Sequence, residues 1–211
     1  MIAVVCAVPA ERRALAELAG PELEIHVSGI GAAAAERTAA AVTARPLRAL
    51  VSAGFCGALS ADLRVGDLVA PDAVRDEATG ETFAPDPEML AAAPGARGTL
   101  VSARRIARTP ADRALLEGVA VDLESATLAR ASRAAGIPVL ALRAVTDEAR
   151  HRLPDIDRLM DAAGRLTPGA GLLYFLRHPR EVPALVRLGP AARVAGRALR
   201  AGLEQTLGRL R

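Results

Sequence analysis

Short runs of β-branched and other apolar residues alternate along this chain with Ala-rich stretches whose apolar positions recur at helical spacing. Ile2–Val8 is an unbroken apolar run that predicts a buried strand, and Ala10–Leu18 continues with a helical pattern. Glu22–Ser28 predicts a second strand, Gly29-Ile30-Gly31 a tight turn, and the stretch through about Ala44 a second helix. Ala49–Ala53 predicts a strand running into a glycine-rich loop, Gly54-Phe55-Cys56-Gly57. Asp67–Pro71 predicts a short strand, and the polar, proline-rich segment through Pro94 predicts loop; residues 72–97 read as a mobile stretch near a pocket mouth. Gly98–Ser102 predicts a further strand, Ser125–Ala135 a helix stopped at Gly136, and Ile137–Arg143 the most apolar strand that remains.

Repeated βα units of this kind predict an α/β fold, a single domain over 1–211 with a central mixed, mostly parallel sheet flanked by helices. Open sheets of that class place ligands at the carboxyl ends of their strands. Glu11, Gly29–Gly31, Gly54–Gly57 and Asp147 all come just after predicted strand ends, so four sequence-distant segments are expected to meet in one crevice. Past about residue 180, Ala192, Ala195, Leu199, Leu203, Leu207 and Leu210 fall at helical spacing, with Arg193, Arg197 and Arg200 on a separate stripe. Such a basic amphipathic helix either packs on its own domain with a solvated arginine face or lies on an anionic membrane surface.

Composition narrows the chemistry. All 27 basic residues are arginine, which excludes lysine Schiff-base chemistry while leaving ample capacity for phosphate or carboxylate. Aromatic residues make up only 2% of the chain, so the core must be built from Ala, Leu and Val, and a base-stacking platform for nucleic acid is not expected. Cys6 and Cys56 lie in apolar or glycine-rich surroundings and read as free core thiols. The apolar start at Met1 reads directly into a strand rather than a signal peptide, and no run is long enough to span a bilayer, so the expected location is cytoplasmic, with membrane association through the tail helix left open.

Two carboxylates stand out, Glu124 in Val121-Asp-Leu-Glu-Ser125 and Asp147 in Leu142-Arg-Ala-Val-Thr-Asp147. One helix and one buried strand separate them, a connection that can return both to the same end of a parallel sheet. A carboxylate pair suits cleavage of a sugar–base bond: one anchors the sugar hydroxyls while the other donates a proton to the departing base. Each residue also has a plainer reading. Glu124 could sit near a helix N-terminus, where the backbone dipole favours a carboxylate, and Asp147 could cap the segment after its strand. The Gly-Ile-Gly turn lacks the third glycine of a dinucleotide fingerprint. Arg143 is harder to set aside, because an arginine inside so apolar a strand needs a buried partner or a ligand. His26, His151 and His178 have no metal-ligand spacing.

Taken in order, Ala7-Val-Pro-Ala-Glu11, Ser28-Gly-Ile-Gly31, Ser52-Ala-Gly-Phe-Cys-Gly-Ala-Leu59 with Val65-Gly-Asp-Leu-Val69, Val121–Ser125 and Leu142–Asp147 resemble the nucleoside phosphorylase and nucleosidase superfamily over roughly residues 1–150. Within it, Leu173–Arg187 most resembles the hopanoid-associated phosphorylases, which release adenine from adenosylhopane. The resemblance implies an enzyme that releases adenine from an adenine nucleoside, lipid-linked in the hopanoid case. Asp147 would contact and protonate purine N7 with Thr146 in support, its carboxyl held neutral by burial or by substrate. Glu124 would hold the ribose hydroxyls, and Leu123 would pack on the sugar. Phe55, Cys56, Gly57, Gly31 and Ile106 would line the sugar and base pocket. Glu11 and Arg143 would hold the attacking nucleophile on the opposite face. No metal or organic cofactor is implied, and a homo-oligomer is expected. A methylthioadenosine/S-adenosylhomocysteine-type nucleosidase and a non-catalytic nucleoside-binding module are the alternatives.

Water and inorganic phosphate both remain open as nucleophile. An ionised Glu11 would repel phosphate by about 4 kcal/mol per charge pair at about 4 Å and an effective dielectric near 20, which favours water; Arg12, Arg13 and Arg143 could offset it. Two departures bear on substrate recognition: Phe55 stands where the wider family often has a small hydroxyl residue, and Ile106 stands where an aromatic usually stacks on the base.

Overall fold

The computed structural model describes residues 1–155, 178 and 181–210. Its nine strands form one mixed sheet with helices on both faces, the α/β class that the alternating pattern predicts. β1 (Ile2–Cys6) lies between β2 (Leu23–Val27) and β3 (Ala49–Ala58), parallel to both. On its other side β3 runs parallel to β9 (Val139–Asp147), whose outer edge pairs antiparallel with β4 (Leu68–Val69). The last two residues of β3, Gly57 and Ala58, turn to pair antiparallel with β8 (Ala120–Asp122). From there the sheet continues through β7 (Thr99–Ser102), β5 (Ala73–Asp76) and the edge strand β6 (Thr82–Phe83).

Strand alternation sorts the core into layers. Val4, Val51, Ala53, Leu140 and Leu142 pack against Leu15 of α1 (Pro9–Leu15) and against Ala195, Leu199 and Leu203 of the C-terminal helix α6 (Val182–Arg209). Ala3, Val5 and Leu50, facing the other way, meet Ala35, Ala39 and Val42 of α2 (Ala32–Thr43) and Leu128 of α5 (Ser125–Ala134). With so many alanines, the helices can approach the sheet closely without large aromatic fillers.

Two expectations are corrected here, and a third question, the tail, is narrowed. Residues 54–57 are strand, not loop: β3 continues through them because β9 pairs with it from Leu50 to Gly57, with a register shift between Cys56 and Gly57, and that tertiary pairing outweighs the low strand preference of glycine. Residues 72–97 are not a mobile loop. They hold β5, β6 and α3 (Pro87–Ala92), the last started by Asp86, whose carboxylate accepts from the Glu88 and Met89 amides at 3.0 Å each. Phe83 of this stretch is buried, with the guanidinium groups of Arg130 and Arg133 over its ring. Finally, of the two readings of the tail helix, burial of half its apolar stripe supports packing on the domain. Ala195, Leu199 and Leu203 have no exposed surface, while Arg193 and Arg197 face solvent, so the helix packs on its own domain. Among the described residues no helix is long and apolar enough to cross a membrane. Residues 173–177, 179 and 180 of the stretch that resembles hopanoid-associated enzymes lie outside the described residues.

Candidate active site

Pro9 opens α1, and Glu11 at its third position turns its side chain back over the helix start. Glu11 Oε2 accepts from the amides of Ala7 at 2.7 Å and Val8 at 2.9 Å, and Oε1 accepts from the Phe55 amide at 2.6 Å. One carboxylate thus ties the β1–α1 turn to β3. Burial pushes this carboxyl above the usual range, opposed by the Arg143 guanidinium and by the three amides.

Arg143 is buried in the middle of β9. Its Nη2 is 2.6 Å from Asp122 Oδ2 and donates to Ser52 Oγ at 2.6 Å and Ser125 Oγ at 2.7 Å. The buried partner demanded by an arginine in so apolar a strand is therefore Asp122. Burial works against the guanidinium charge, but Asp122, Glu124 and Glu11 outweigh it and hold the group protonated. Gly54 of β3 makes the arrangement sterically feasible. A Cβ there would collide with Arg143 Nη1 and stand 2.7 Å from Glu11 Oε1, so the residue must be glycine for the two charged groups to sit side by side against the strand.

Glu124 occupies the position just before α5 but makes no capping bond of its own. Its Oε1 instead accepts from the Gly31 amide at 2.7 Å and its Oε2 from the Leu123 amide at 3.3 Å. Gly31 reaches it with φ at 92°, in the left-handed region where a side chain would be strained. The dipole that favours a carboxylate at a helix start does not prevail here. Burial and then the nearby charge of Asp122 push the Glu124 carboxyl up to about 7.

Asp147 ends β9. Its Oδ1 accepts from Thr146 Oγ1 at 2.8 Å, and its Oδ2 is held by Arg113 Nη2. A Cβ on Gly57 would lie 2.9 Å from that oxygen, so the second glycine of the block, like the first, leaves room for an ion cluster. Asp147, Gly57, Ile106, Leu123 and Arg113 line a cavity of about 60 Å³. A second cavity of about 190 Å³, lined by Val65, Thr146, Arg187 and Leu188, shares Asp147 and Leu153 with the first. Cys56, next to Gly57, is buried and free, and burial raises its thiol far from nucleophilic form.

The fold therefore brings Glu11, Gly31, Phe55, Cys56, Gly57, Leu123, Glu124, Thr146 and Asp147 to the carboxyl ends of β1, β2, β3 and β9 and the turn after β8, with Arg143 reaching in from the middle of β9 and Ile106 at the cavity wall. Sequence reasoning missed Asp122, Ser52, Ser125 and Arg113. The first three lie inside the motif blocks, where a buried Arg143 in need of an acid was the available signal. Arg113 carried none, being one arginine among several between residues 104 and 113.

Carboxylates and arginines thus cluster at the strand ends of an α/β sheet. The family model described as the phosphorylase superfamily matches residues 2–167, and the chain belongs to that superfamily. It is 33% identical over 221 residues to a futalosine hydrolase of Streptomyces coelicolor, a match that covers 78% of this chain and 94% of the relative. Among solved structures, the futalosine hydrolase of Helicobacter pylori superposes with a TM-score of 0.75 at 14% identity, covering 98% of this chain and 97% of that one. An S-adenosylhomocysteine nucleosidase from Streptococcus pyogenes, in complex with 5-methylthiotubericidin, gives 0.76 at 18% identity, covering 100% and 97%. At such identities the structural likeness establishes the shared fold.

Proposed function

We propose that this enzyme hydrolyses the N-glycosidic bond of a purine nucleoside, with water as the nucleophile. The observation that carries the reading is the Glu11–Arg143 pair beside Gly54. Glu11 presents a carboxylate fixed by three amides, and the neighbouring Arg143 is already committed to Asp122 and two serine hydroxyls. A negative charge in that setting accepts a proton from water but repels phosphate, and Arg12 and Arg13, which could have offset it, are exposed to solvent. The upward displacement of Glu11 makes it a stronger base than an ordinary carboxylate.

In this scheme Glu124 binds the ribose hydroxyls, and Leu123 packs on the sugar. Water adds to C1′ and gives its proton to Glu11, the electron pair of the C1′–N9 bond moves into the base, and the base takes a proton at N7 from the Asp147 carboxyl. Solvent closes the proton balance: the proton taken by Glu11 is released to it, and the one given to the base is replaced from it. The cavity beside Asp147 is well below the roughly 300 Å³ of ordinary ligand sites, so base entry requires the wall at Leu153 to yield and join the two spaces.

The substrates named for the relatives, futalosine among them, are the first candidates here, alongside the adenine nucleosides methylthioadenosine and S-adenosylhomocysteine. Adenosylhopane rests on the weaker resemblance of residues 173–187. Incubating the protein with each compound, with and without phosphate, and assaying free base and free sugar separates them. The expected outcome is a free reducing sugar, no sugar 1-phosphate, and no acceleration by phosphate. Glu11→Gln and Asp147→Asn should each lower kcat by about 10²- to 10⁴-fold while nucleoside binding persists. Phosphate-dependent release would overturn hydrolysis, and binding without turnover would leave a nucleoside-binding module.

A further inference from the structure

Arg113 is a buried charge that the proposed hydrolysis leaves without a role. It lies on α4 (Pro110–Ala114), a single turn fixed by Thr109, whose hydroxyl accepts from the Asp112 amide at 3.1 Å, and by Asp112, which accepts from the Thr109 amide at 2.9 Å. Its side chain is only 3% exposed and is anchored by backbone. Nε donates to Ala107 O at 3.1 Å, and Nη1 donates to Glu148 O at 2.6 Å and to Ala58 O at 3.4 Å. Nη2 holds Asp147 Oδ2. A guanidinium carries five N–H groups. These bonds use four, which leaves one on Nη2 without a partner among the described residues, and Arg113 lines the same cavity as Asp147 and Ile106.

We propose that Arg113 and Asp147 form one leaving-group unit. The guanidinium positions the Asp147 carboxyl and supplies fixed positive charge at the base end of the pocket. As the C1′–N9 bond stretches, negative charge builds on the purine, and a preorganised cation in a dry site stabilises it without having to move. Three carbonyl anchors keep Arg113 in place when Asp147 turns from its ion pair to the base, and the free Nη2 hydrogen is then available to an acceptor on the purine. The residue matters most for leaving groups that are poor anions and little for those that depart unaided. This rests on the hydrolytic reading of the site.

The test compares two substrates on one preparation, so that any loss of folded protein cancels in the ratio. One is the purine nucleoside that the wild type cleaves best; the other is p-nitrophenyl β-D-riboside, whose leaving group needs no proton. For Arg113→Met the ratio of kcat/KM, purine over p-nitrophenyl, should fall by about 100-fold, with the loss in kcat rather than KM. Arg113→Lys, which keeps the charge without the fork, should fall between, and it reads the same ratio if the methionine variant does not accumulate as folded protein. An unchanged ratio in a wild type that cleaves purine nucleosides would overturn the role of Arg113 alone. A wild type that releases base from no nucleoside would instead overturn the reading on which it rests.

Discussion

Glu124 shows how a functional carboxylate can work against the stability of its own fold. Burial, and then the nearby charge of Asp122, push its carboxyl from the ordinary 4.5 up to about 7, against two amide hydrogen bonds among the described residues. Between those values the native state keeps a proton that the unfolded chain has lost, so stability falls as pH rises through this window, and the cost is complete above about 7. At 1.36 kcal/mol per pKa unit the displacement corresponds to a cost on the order of 3 kcal/mol. Glu124→Gln keeps an acceptor for the Gly31 amide and removes the charge. Its melting temperature should exceed that of the wild type at pH 8 and match it at pH 4, as calorimetry would show. In the proposed scheme activity carries the opposite sign, because there only the carboxylate accepts both ribose hydroxyls. Wild-type kcat/KM should rise with pH through about 7, and the limb assigned to Glu124 should vanish in the glutamine variant, leaving any limb that belongs to Glu11. The candidate carboxylates are legible in the sequence because each sits in a short block of small and apolar residues where an acid is out of place. Their partners are not. Arg113 reaches Asp147 across 34 positions of chain, a pairing that spacing cannot reveal.

At the scale of elements, β3 and α6 do most to place the site. β3 carries Gly54 and Gly57, and their missing side chains make space for Glu11 with Arg143 and for Asp147 with Arg113. Local preference suggests a loop at these glycines, and only the pairing with β9 makes them strand. The helices and strands with strong periodicity are legible to within a few residues: β1, α2, α5, β9 and α6. Two-residue strands and one-turn helices such as β6 and α4 are too short to show a period, which is why the sequence pattern gives no elements within 72–97 or at 110–114. α6 covers the face of the sheet through Ala195, Leu199 and Leu203. Leu199→Ala should cost roughly 2–5 kcal/mol by the lost transfer energy and the cavity left behind, measured by urea denaturation; Arg197→Ala on the exposed face of the same helix should change stability by less than about 0.5 kcal/mol.

For the molecule as a whole, the question raised by the tail is what its arginines meet. Because Ala195, Leu199 and Leu203 of α6 are buried against the sheet, with Val182, Val186 and Val194 exposed on the helix, attraction to an anionic membrane is expected to be mainly electrostatic. Co-sedimentation with anionic vesicles, if seen at low salt, should disappear near 1 M salt, where the screening length is about 3 Å; binding that survives would mean an inserted apolar face and would contradict the packing of Leu199 and Leu203.

The division between what the chain announces and what its folding settles reflects the range of the forces. Periodicity, glycine turns and the motif blocks are local, and from them alone come the α/β class, the superfamily and the acids at 11, 124 and 147. Protonation and pairing depend on burial and on charges brought from distant segments. Only the tertiary structure could therefore show that Arg143 answers to Asp122, that Asp147 is held by Arg113, and that Glu124 titrates near neutrality.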